Sequence, residues 1–254
     1  MRVVVVGAGV SGLSCAHLLL RAGHDVILAS GDPLERTTSH LAAAVWFPTA
    51  AGPPEAVSRW GAITYDVLAD AAAAGVPGVF MRESLVLYRD DPQPPPALPE
   101  WAAAVGHVRA ADRDELPSGY PRGLRFAVPL VEMPTYLPYL HGEVMRVGGS
   151  QVTRRIAGLD EVLDLGPDVI VNAAGMAAGA LVGDRTVFPI RGQIVRVEIP
   201  VSTCRSATKC TQEAGRTFTR ARRIASWAAR WRSGAGTPSP TPPRPPRSSN
   251  GAPI

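Results

Sequence analysis

Three glycines near the start of the chain have the spacing of a phosphate-binding turn. Residues 7–12 have the sequence Gly-Ala-Gly-Val-Ser-Gly, which fits the pattern G-x-G-x-x-G. In that pattern the first glycine permits a tight turn, the second lets the backbone approach a pyrophosphate, and the third lets the following helix pack closely on the strand. The N-terminus of that helix attracts the anion through its free N–H groups and partial positive charge. Because the pattern follows an apolar run and opens a helix, it predicts dinucleotide binding; the alternative is an ordinary glycine-rich turn.

An acidic residue about 20 positions further on would complete such a site by accepting hydrogen bonds from ribose hydroxyls. Asp25 comes before the second predicted strand, and Ser30 and Gly31 occupy the end of that strand. Asp32 is therefore the nearest acid and the candidate ribose ligand. The alternative, a solvated turn residue before Pro33, stays open from the sequence alone.

The elements that must position these residues form a strand, a turn, a helix and a second strand within about 30 residues. Residues 2–6 are a β-branched run without a polar break, as expected of a parallel strand covered on both faces. Residues 13–21 have apolar side chains at helical spacing, and Gly23 stands where a glycine commonly ends a helix. Residues 26–28 are the second strand. The opening of the chain thus predicts a parallel nucleotide-binding sheet.

Further along the chain, the patterns of strand and helix alternate less regularly. They predict helices over residues 65–74 and 135–147, and strands over residues 84–88, 124–128, 168–172 and 192–198. Residues 91–99 contain five prolines and are expected to form an exposed loop. We interpret the whole as an α/β fold, in which an inserted and more antiparallel domain interrupts the parallel sheet.

Composition narrows the class of protein. The chain has 254 residues, of which 46% are hydrophobic and 19% charged, as in globular proteins rather than disordered or coiled-coil ones. No stretch approaches the roughly 18–20 consecutive apolar residues of a membrane span. Three cysteines are too few for the disulfide framework of a secreted protein, and the histidines lack metal-ligand spacing. We expect a soluble, cytoplasmic protein without a metal site.

The net charge and the amino-acid composition of the chain change at residue 201. Residues 1–200 carry 16 Arg and 21 Asp or Glu, a net charge of −5, whereas residues 201–254 carry 10 Arg or Lys and one Glu, a net charge of +9. Seven prolines fall between Pro238 and Pro253. Such a composition buries too little apolar surface to offset the entropy of ordering. We therefore expect residues 201–254 to be an irregular, disordered tail rich in Arg and Pro, and we expect no nucleic-acid partner for the acidic residues 1–200.

Four blocks of sequence resemble the FAD-binding D-amino-acid oxidase family, in the family's order. They are residues 1–16, residues 37–48 (Thr-Thr-Ser-His-Leu-Ala-Ala-Ala-Val-Trp-Phe-Pro), residues 168–175 with 178–181, and residues 191–194. The resemblance covers roughly residues 1–200. It implies a Rossmann-like FAD-binding parallel sheet built from residues 1–48 and 150–200. Residues 49–149 would be an inserted antiparallel-sheet substrate domain, and the C-terminal part of the family fold would be incomplete.

The resemblance also implies which residues contact the cofactor. It assigns the pyrophosphate to the glycine-rich turn, phosphate and ribitol to a hydroxyl-rich turn, the isoalloxazine ring to a stretch of small residues, and the adenosine half to a backbone contact further on. The implied FAD contacts are Gly7, Ala8, Gly9, Ser11, Gly12, Asp32, Thr37, Thr38, Ser39, Ala43, Ala44, Val45, Ile156, Ala174 and Gly175. The hydroxyl-rich turn has an alternative interpretation as an ordinary capping cluster.

The activity that the resemblance implies is FAD-dependent oxidative deamination of a D-amino acid to an imino acid and then a 2-oxo acid. Oxygen would accept the electrons, with release of hydrogen peroxide and ammonia. The family's carboxylate-binding arginine and tyrosines lie beyond the block that begins at Arg191, and the tail matches neither. Catalytic residues therefore stay unassigned. The implied partners are a D-amino acid and oxygen, without a membrane or nucleic acid, and a homodimer is left open.

Two other interpretations stay open at this point. One is a truncated or frame-shifted chain that binds a dinucleotide without catalysing a reaction. Three changes at residue 201 favour it, because the resemblance and the hydrophobic periodicity both stop there and the net charge changes sign. The other is a nicotinamide-dependent dehydrogenase, which the block at residues 37–48 disfavours.

Overall fold

The computed structural model describes residues 1–42, 44–48, 51–90, 97–98 and 100–189, and the backbone of three short strands further on. The helices are α1 (Val10–Arg21), α2 (Thr38–Leu41), α3 (Pro54–Ala73) and α4 (Met133–Arg146). The strands are β1 (Arg2–Val6), β2 (Asp25–Ser30), β3 (Ala44–Val45), β4 (Val79–Tyr88), β5 (Arg109–Ala110), β6 (Arg122–Val131), β7 (Ser150–Thr153), β8 (Val169–Asn172), β9 (Arg196–Val197), β10 (Phe218–Arg220) and β11 (Ala225–Trp227). Within these described segments, every helix is too short or too polar to cross a membrane.

The parallel sheet has the strand order β7-β2-β1-β8. Val3 of β1 lies opposite Val26 of β2 and Val169 of β8, so the two apolar runs at the start of the chain and after residue 168 are neighbours. Successive side chains of a strand point to opposite faces. The four valine side chains of β1 are buried on both faces, which explains the uninterrupted valine sequence.

Each face of the parallel sheet has its own core. Val3 and Val5 pack with Leu13 of α1 and Leu137 of α4. Val4 and Val6 pack on the other face, where Val162 belongs to a 3₁₀ segment over Leu159–Leu165. Helices therefore cover one face of the sheet, and a short irregular layer covers the other.

The antiparallel sheet is built around β6. It pairs with β4 along ten residues, from Val79 opposite Val131 to Tyr88 opposite Arg122. The strands β3 and β5 pair with different stretches of the other edge of β6. Val79 and Val131 belong to the same buried cluster as α1 and α4, so the two sheets share a core.

An aromatic cluster fills the space between the antiparallel sheet and α3. The ring centroids of Trp101 and Phe126 are 4.8 Å apart, and those of Trp46 and Tyr65 are 5.2 Å apart. The polar atoms of this cluster are bonded: the Trp46 indole donates to the Gly61 carbonyl at 2.9 Å, and the Tyr65 hydroxyl donates to the Ala127 carbonyl at 3.1 Å. Buried aromatic rings with satisfied polar atoms favour one specific packing.

The predicted fold class, a parallel nucleotide-binding sheet combined with an antiparallel sheet, is confirmed. The helix expected over residues 65–74 begins earlier, at Pro54, because a proline is favourable in the first turn of a helix. The sequence analysis assigned no strand to β7, whose side chains are mostly exposed. The boundaries proposed for the two domains stay a prediction.

Part of the C-terminal segment also pairs. The strands β9, β10 and β11 form an antiparallel sheet in the order β10-β11-β9. The other residues of the expected Arg/Pro-rich tail lie outside the described residues, as do the block at residues 191–194 and most of the loop at residues 91–99. The expectations about these segments stay predictions.

Charged side chains join β5, β6 and the turn between them. Arg109 donates to both carboxylate oxygens of Glu115 at 2.8 Å, and the Arg125 Nε lies 2.6 Å from Glu115 Oε1. The Asp112 N–H donates to Glu115 Oε2 at 2.8 Å. The Arg109 hydrogen bond, followed by the Asp112 N–H, lowers the pKa of the Glu115 carboxyl from 4.5 to about 2. The folded chain therefore keeps this carboxylate ionised at a pH where the unfolded chain protonates it.

We expect replacement of Glu115 by Gln to lower the melting temperature at pH 7 and to make it less sensitive to acid. The stabilisation by the ionised carboxylate is fully present above about pH 4.5 and is lost as the pH falls through about 2, the pKa in the folded chain. The difference in melting temperature between the unchanged chain and Glu115→Gln should shrink over that interval, measured by circular dichroism.

Glu83→Gln is the matched control, because Glu83 is exposed and lies 3.8 Å from Arg125. Its effect on the melting temperature should be small at every pH. A difference between Glu115→Gln and the unchanged chain that stays constant from pH 5 to pH 2 would contradict the role given to Glu115.

Candidate functional site

A cavity of about 350 Å³ opens at the carboxyl ends of β1, β2 and β8. In open α/β sheets this edge is where ligands bind, since the loops that follow parallel strands meet there. The residues that line it are Val6, Gly7, Ala8, Gly9, Ser11, Ala29, Ser30, Gly31, Asp32, Arg36, Thr37, Thr38, Ser39, Arg154, Arg155, Ile156, Ala173, Ala174, Gly175, Met176 and Ala177.

The turn from β1 to α1 forms the floor of the cavity. Gly7 has a φ of +111°, and a Cβ atom there would overlap the Ala173 carbonyl oxygen. A Cβ atom on Gly12 would overlap the Gly7 carbonyl oxygen. Both positions therefore require glycine, the first for its conformation and for space, the second because α1 packs directly on the turn.

The N-terminus of α1 faces the hydroxyl-rich turn. Gly9 is the N-cap residue and has no side chain, and the first turn of α1 holds no acidic residue. The Val10 N–H instead donates to the Ser39 hydroxyl at 3.0 Å. This oxygen uses one lone pair for Val10, and within the described part of the chain its O–H donates to no other group, so it can donate to a ligand. The positive end of the α1 dipole thus opens into the cavity, and no carboxylate of its own first turn neutralises it.

The hydroxyls of this turn have different functions. Thr37 caps α2, since its Oγ1 accepts from the His40 N–H at 3.2 Å and donates to the Leu34 carbonyl at 2.7 Å. The capping interpretation therefore applies to Thr37, whereas Ser39 reaches across to α1. Both residues line the cavity together with Thr38.

Asp32 lies at the end of the cavity that follows β2. Its Oδ1 accepts a hydrogen bond of 2.6 Å from the Arg155 guanidinium. Its backbone carbonyl accepts from the Ser30 hydroxyl at 3.2 Å. Asp32 is therefore held at the cavity rather than fully solvated, although its side chain is still 43% exposed.

The cavity brings together most of the residues expected to contact the cofactor. Gly12 lies under the turn, where it packs. Ala44 and Val45 do not line this cavity, because they form β3 and pair with β6 of the antiparallel sheet. Ala43 lies outside the described residues. Thus the segment expected to follow the isoalloxazine ring belongs to the other sheet.

Three arginines that the sequence motifs did not indicate line the cavity, namely Arg36, Arg154 and Arg155. Arg154 pairs with Asp164 through two hydrogen bonds of 2.8 and 2.9 Å. Arg154 and Arg155 directly precede Ile156, which the resemblance assigns to the adenosine half of FAD. They follow β7, which pairs in parallel with β2, and this position could have indicated them. Groups of His, Cys, Asp or Glu that could hold a metal ion are absent from the described part of the chain.

The arrangement has the chemistry to hold the pyrophosphate and ribose of a dinucleotide. The N-terminus of α1 and the Ser39 hydroxyl supply donors for an anion, and the Asp32 carboxylate supplies an acceptor for ribose hydroxyls. Small residues at Ala8 and Gly9 leave room for a ligand close to the backbone. These features fit the ADP half of FAD.

Comparison with other proteins gives the same assignment. The sequence model of the family described as FAD dependent oxidoreductase matches residues 2–246. The chain is 44% identical over 199 residues to a D-amino-acid oxidase of Rubrobacter xylanophilus, covering 78% of this chain and 60% of that protein. It is 36% identical over 200 residues to a D-amino-acid oxidase of Streptomyces coelicolor, covering 78% of this chain and 59% of that protein. The chain thus spans about three fifths of the length of these relatives.

A solved structure shares the fold. An L-α-glycerophosphate oxidase from Mycoplasma pneumoniae with FAD bound superposes with a TM-score of 0.63, covering 89% of this chain and 70% of that chain at 14% identity. The family match continues beyond residue 200, where the resemblance noted from the sequence ends. With the family model covering most of the chain, this protein belongs to the FAD-dependent oxidoreductase family.

Proposed function

We propose that this chain binds FAD in the cavity at the carboxyl ends of β1, β2 and β8 and acts in the oxidative deamination of D-amino acids. The products would be a 2-oxo acid, ammonia and hydrogen peroxide, with oxygen as the electron acceptor. The observation that carries the proposal is the N-terminus of α1, which opens onto the cavity beside the Ser39 hydroxyl. The two relatives named D-amino-acid oxidase support the substrate class. The few cysteines support a cytoplasmic setting.

The residues at the cavity would bind and orient the cofactor. The turn at Gly7 and Gly9 would let the pyrophosphate approach the N–H groups of α1, and the Ser39 O–H would donate to a phosphate oxygen. Asp32 would accept from the ribose of the adenosine half. When bound, the flavin supplies the ring that accepts hydride from the α-carbon of the substrate. The described residues would hold the ADP half of FAD, to which the flavin ring is joined. We assign no substrate ligand among them.

The first prediction about the site concerns the phosphate-binding turn. Gly9→Val should abolish FAD binding, because its side chain would occupy the space of the pyrophosphate. A Cβ atom on Gly9 would also lie 3.1 Å from the Ser39 Oγ and disturb its bond to Val10. Flavin absorbance of the purified chain and fluorescence titration with FAD measure the loss.

Gly142→Ala is the control for Gly9→Val, since Gly142 lies within α4 and a Cβ atom there meets nothing within 4 Å. This control should bind FAD as the unchanged chain does. Full flavin content in Gly9→Val would mean that the pyrophosphate lies elsewhere.

The second prediction concerns the hydroxyl that faces α1. Ser39→Ala removes the acceptor for the Val10 N–H and the O–H donor for a phosphate oxygen, so FAD should bind roughly tenfold more weakly. The dissociation constant follows from quenching of flavin fluorescence. Ser58→Ala is the control, because the Ser58 hydroxyl donates to the exposed Glu100 at 3.3 Å, away from the cavity. Equal affinity in Ser39→Ala and Ser58→Ala would exclude a role for Ser39 in binding.

The third prediction tests the reaction itself. The FAD-loaded chain should release hydrogen peroxide on addition of D-alanine or D-proline and none with the L-enantiomers, as measured with a peroxidase-coupled assay. Oxygen consumption should match the peroxide formed. Firm FAD binding without peroxide would contradict the oxidase activity and would favour the alternative of a chain that binds a dinucleotide without catalysis.

A further inference from the structure

The end of β2 and the segment after β7 approach each other very closely. The Arg154 N–H donates to the Ser30 carbonyl at 3.1 Å. A Cβ atom on Gly31 would lie 2.6 Å from the Arg155 Cα, a distance that real contacts of this kind do not reach. Position 31 therefore has no room for a side chain. Asp32, one residue later, is the acid nearest to the end of β2.

Two contacts determine where the Asp32 carboxylate lies. The Ser30 hydroxyl holds the Asp32 backbone through its carbonyl at 3.2 Å. The Arg155 Nη2 donates to Asp32 Oδ1 at 2.6 Å. Among the described residues, no hydrogen bond uses Asp32 Oδ2. One carboxylate oxygen is thus held by Arg155, and the other is available as an acceptor in the cavity that both residues line.

The ion pair between Arg155 and Asp32 is too exposed to contribute much to the stability of the folded chain. The side chain of Arg155 is 74% exposed and that of Asp32 is 43% exposed. Exposed pairs of this kind contribute little to stability, since water and salt screen them. The main consequence of the Arg155–Asp32 pair is geometric, because a charge-assisted bond from a planar guanidinium restricts the rotation of the carboxylate.

We propose that Arg155 is a positioning residue, which orients the Asp32 carboxylate so that Oδ2 accepts a hydrogen bond from the ribose 2′-hydroxyl of the adenosine half of FAD. The inference rests on the proposed FAD site. It adds Arg155 as the residue that orients the carboxylate for recognition of the ribose. Arg155 acts through Asp32, so its removal should affect ligands that carry the 2′-hydroxyl more than ligands that lack it.

The test compares ADP with 2′-deoxy-ADP, which differ in that hydroxyl alone, by calorimetric titration of the full chain. The unchanged chain should bind ADP about tenfold more tightly, as expected for one hydrogen bond to a charged acceptor. In Arg155→Ala this preference should fall to about twofold, while the melting temperature stays close to that of the unchanged chain. Asp32→Asn should lose the preference as well, and Arg155→Lys should keep part of it, because a lysine retains the charge but not the planar fork.

Arg154→Ala is the matched control. Arg154 is the neighbouring arginine on the same cavity, but it pairs with Asp164 rather than with Asp32. The tenfold preference for ADP should persist in this variant even if its absolute affinity or its melting temperature falls. A loss of preference in Arg154→Ala equal to that in Arg155→Ala would overturn the specific role of Arg155.

The remaining outcomes separate this inference from the proposed function. An unchanged tenfold preference in Arg155→Ala would overturn the inference, and so would equal binding of ADP and 2′-deoxy-ADP by the unchanged chain; FAD binding would stand in both cases. If the unchanged chain bound neither ADP nor FAD, the proposed function itself would be wrong, and the role of Arg155 with it.

Discussion

Backbone contact between the turn after β1 and the turn after β8 constrains the rest of the structure. The Gly7 N–H donates to the Ala29 carbonyl of β2 at 2.9 Å, and the Ala173 N–H donates to the Val6 carbonyl of β1 at 2.9 Å. These bonds extend the pairing of β1 with both neighbouring strands to the end of the sheet. They also bring the Ala173 carbonyl so near Gly7 that no side chain fits between them. The start of α1 is therefore fixed relative to three strands.

That placement determines what the cavity can bind. Because α1 starts immediately after the turn, its N–H groups face the loops that follow β2 and β8. The Ser39 hydroxyl bonds one of these groups across the cavity at 3.0 Å, and so it ties the hydroxyl-rich turn to the glycine-rich one. Anion recognition here depends mostly on backbone geometry, and side chains such as Ser39 and Asp32 add to it.

The two sheets are coupled through a shared core rather than through the cavity. Val79 and Val131 close one end of the antiparallel sheet and pack in the same buried cluster as Leu13 and Leu137. Beyond that end, the antiparallel sheet is held by its own aromatic cluster and by the charges around Glu115. The chain that follows the hydroxyl-rich turn therefore passes directly from the parallel sheet to the antiparallel sheet, where β3 pairs with β6.

The sequence by itself determined the local features of this protein. The uninterrupted valines of β1 and the spacing of Gly7, Gly9 and Gly12 form one short pattern in the chain, so they indicated a strand, a turn and a helix N-terminus without the structure. The tertiary structure alone decided that β7 pairs with β2, that Ala44 and Val45 join β6, and that Arg155 reaches Asp32. These contacts join residues far apart in sequence, and the side chains of β7 are too polar and exposed to form the apolar pattern of a buried strand. Only the packing of the folded chain brings them together.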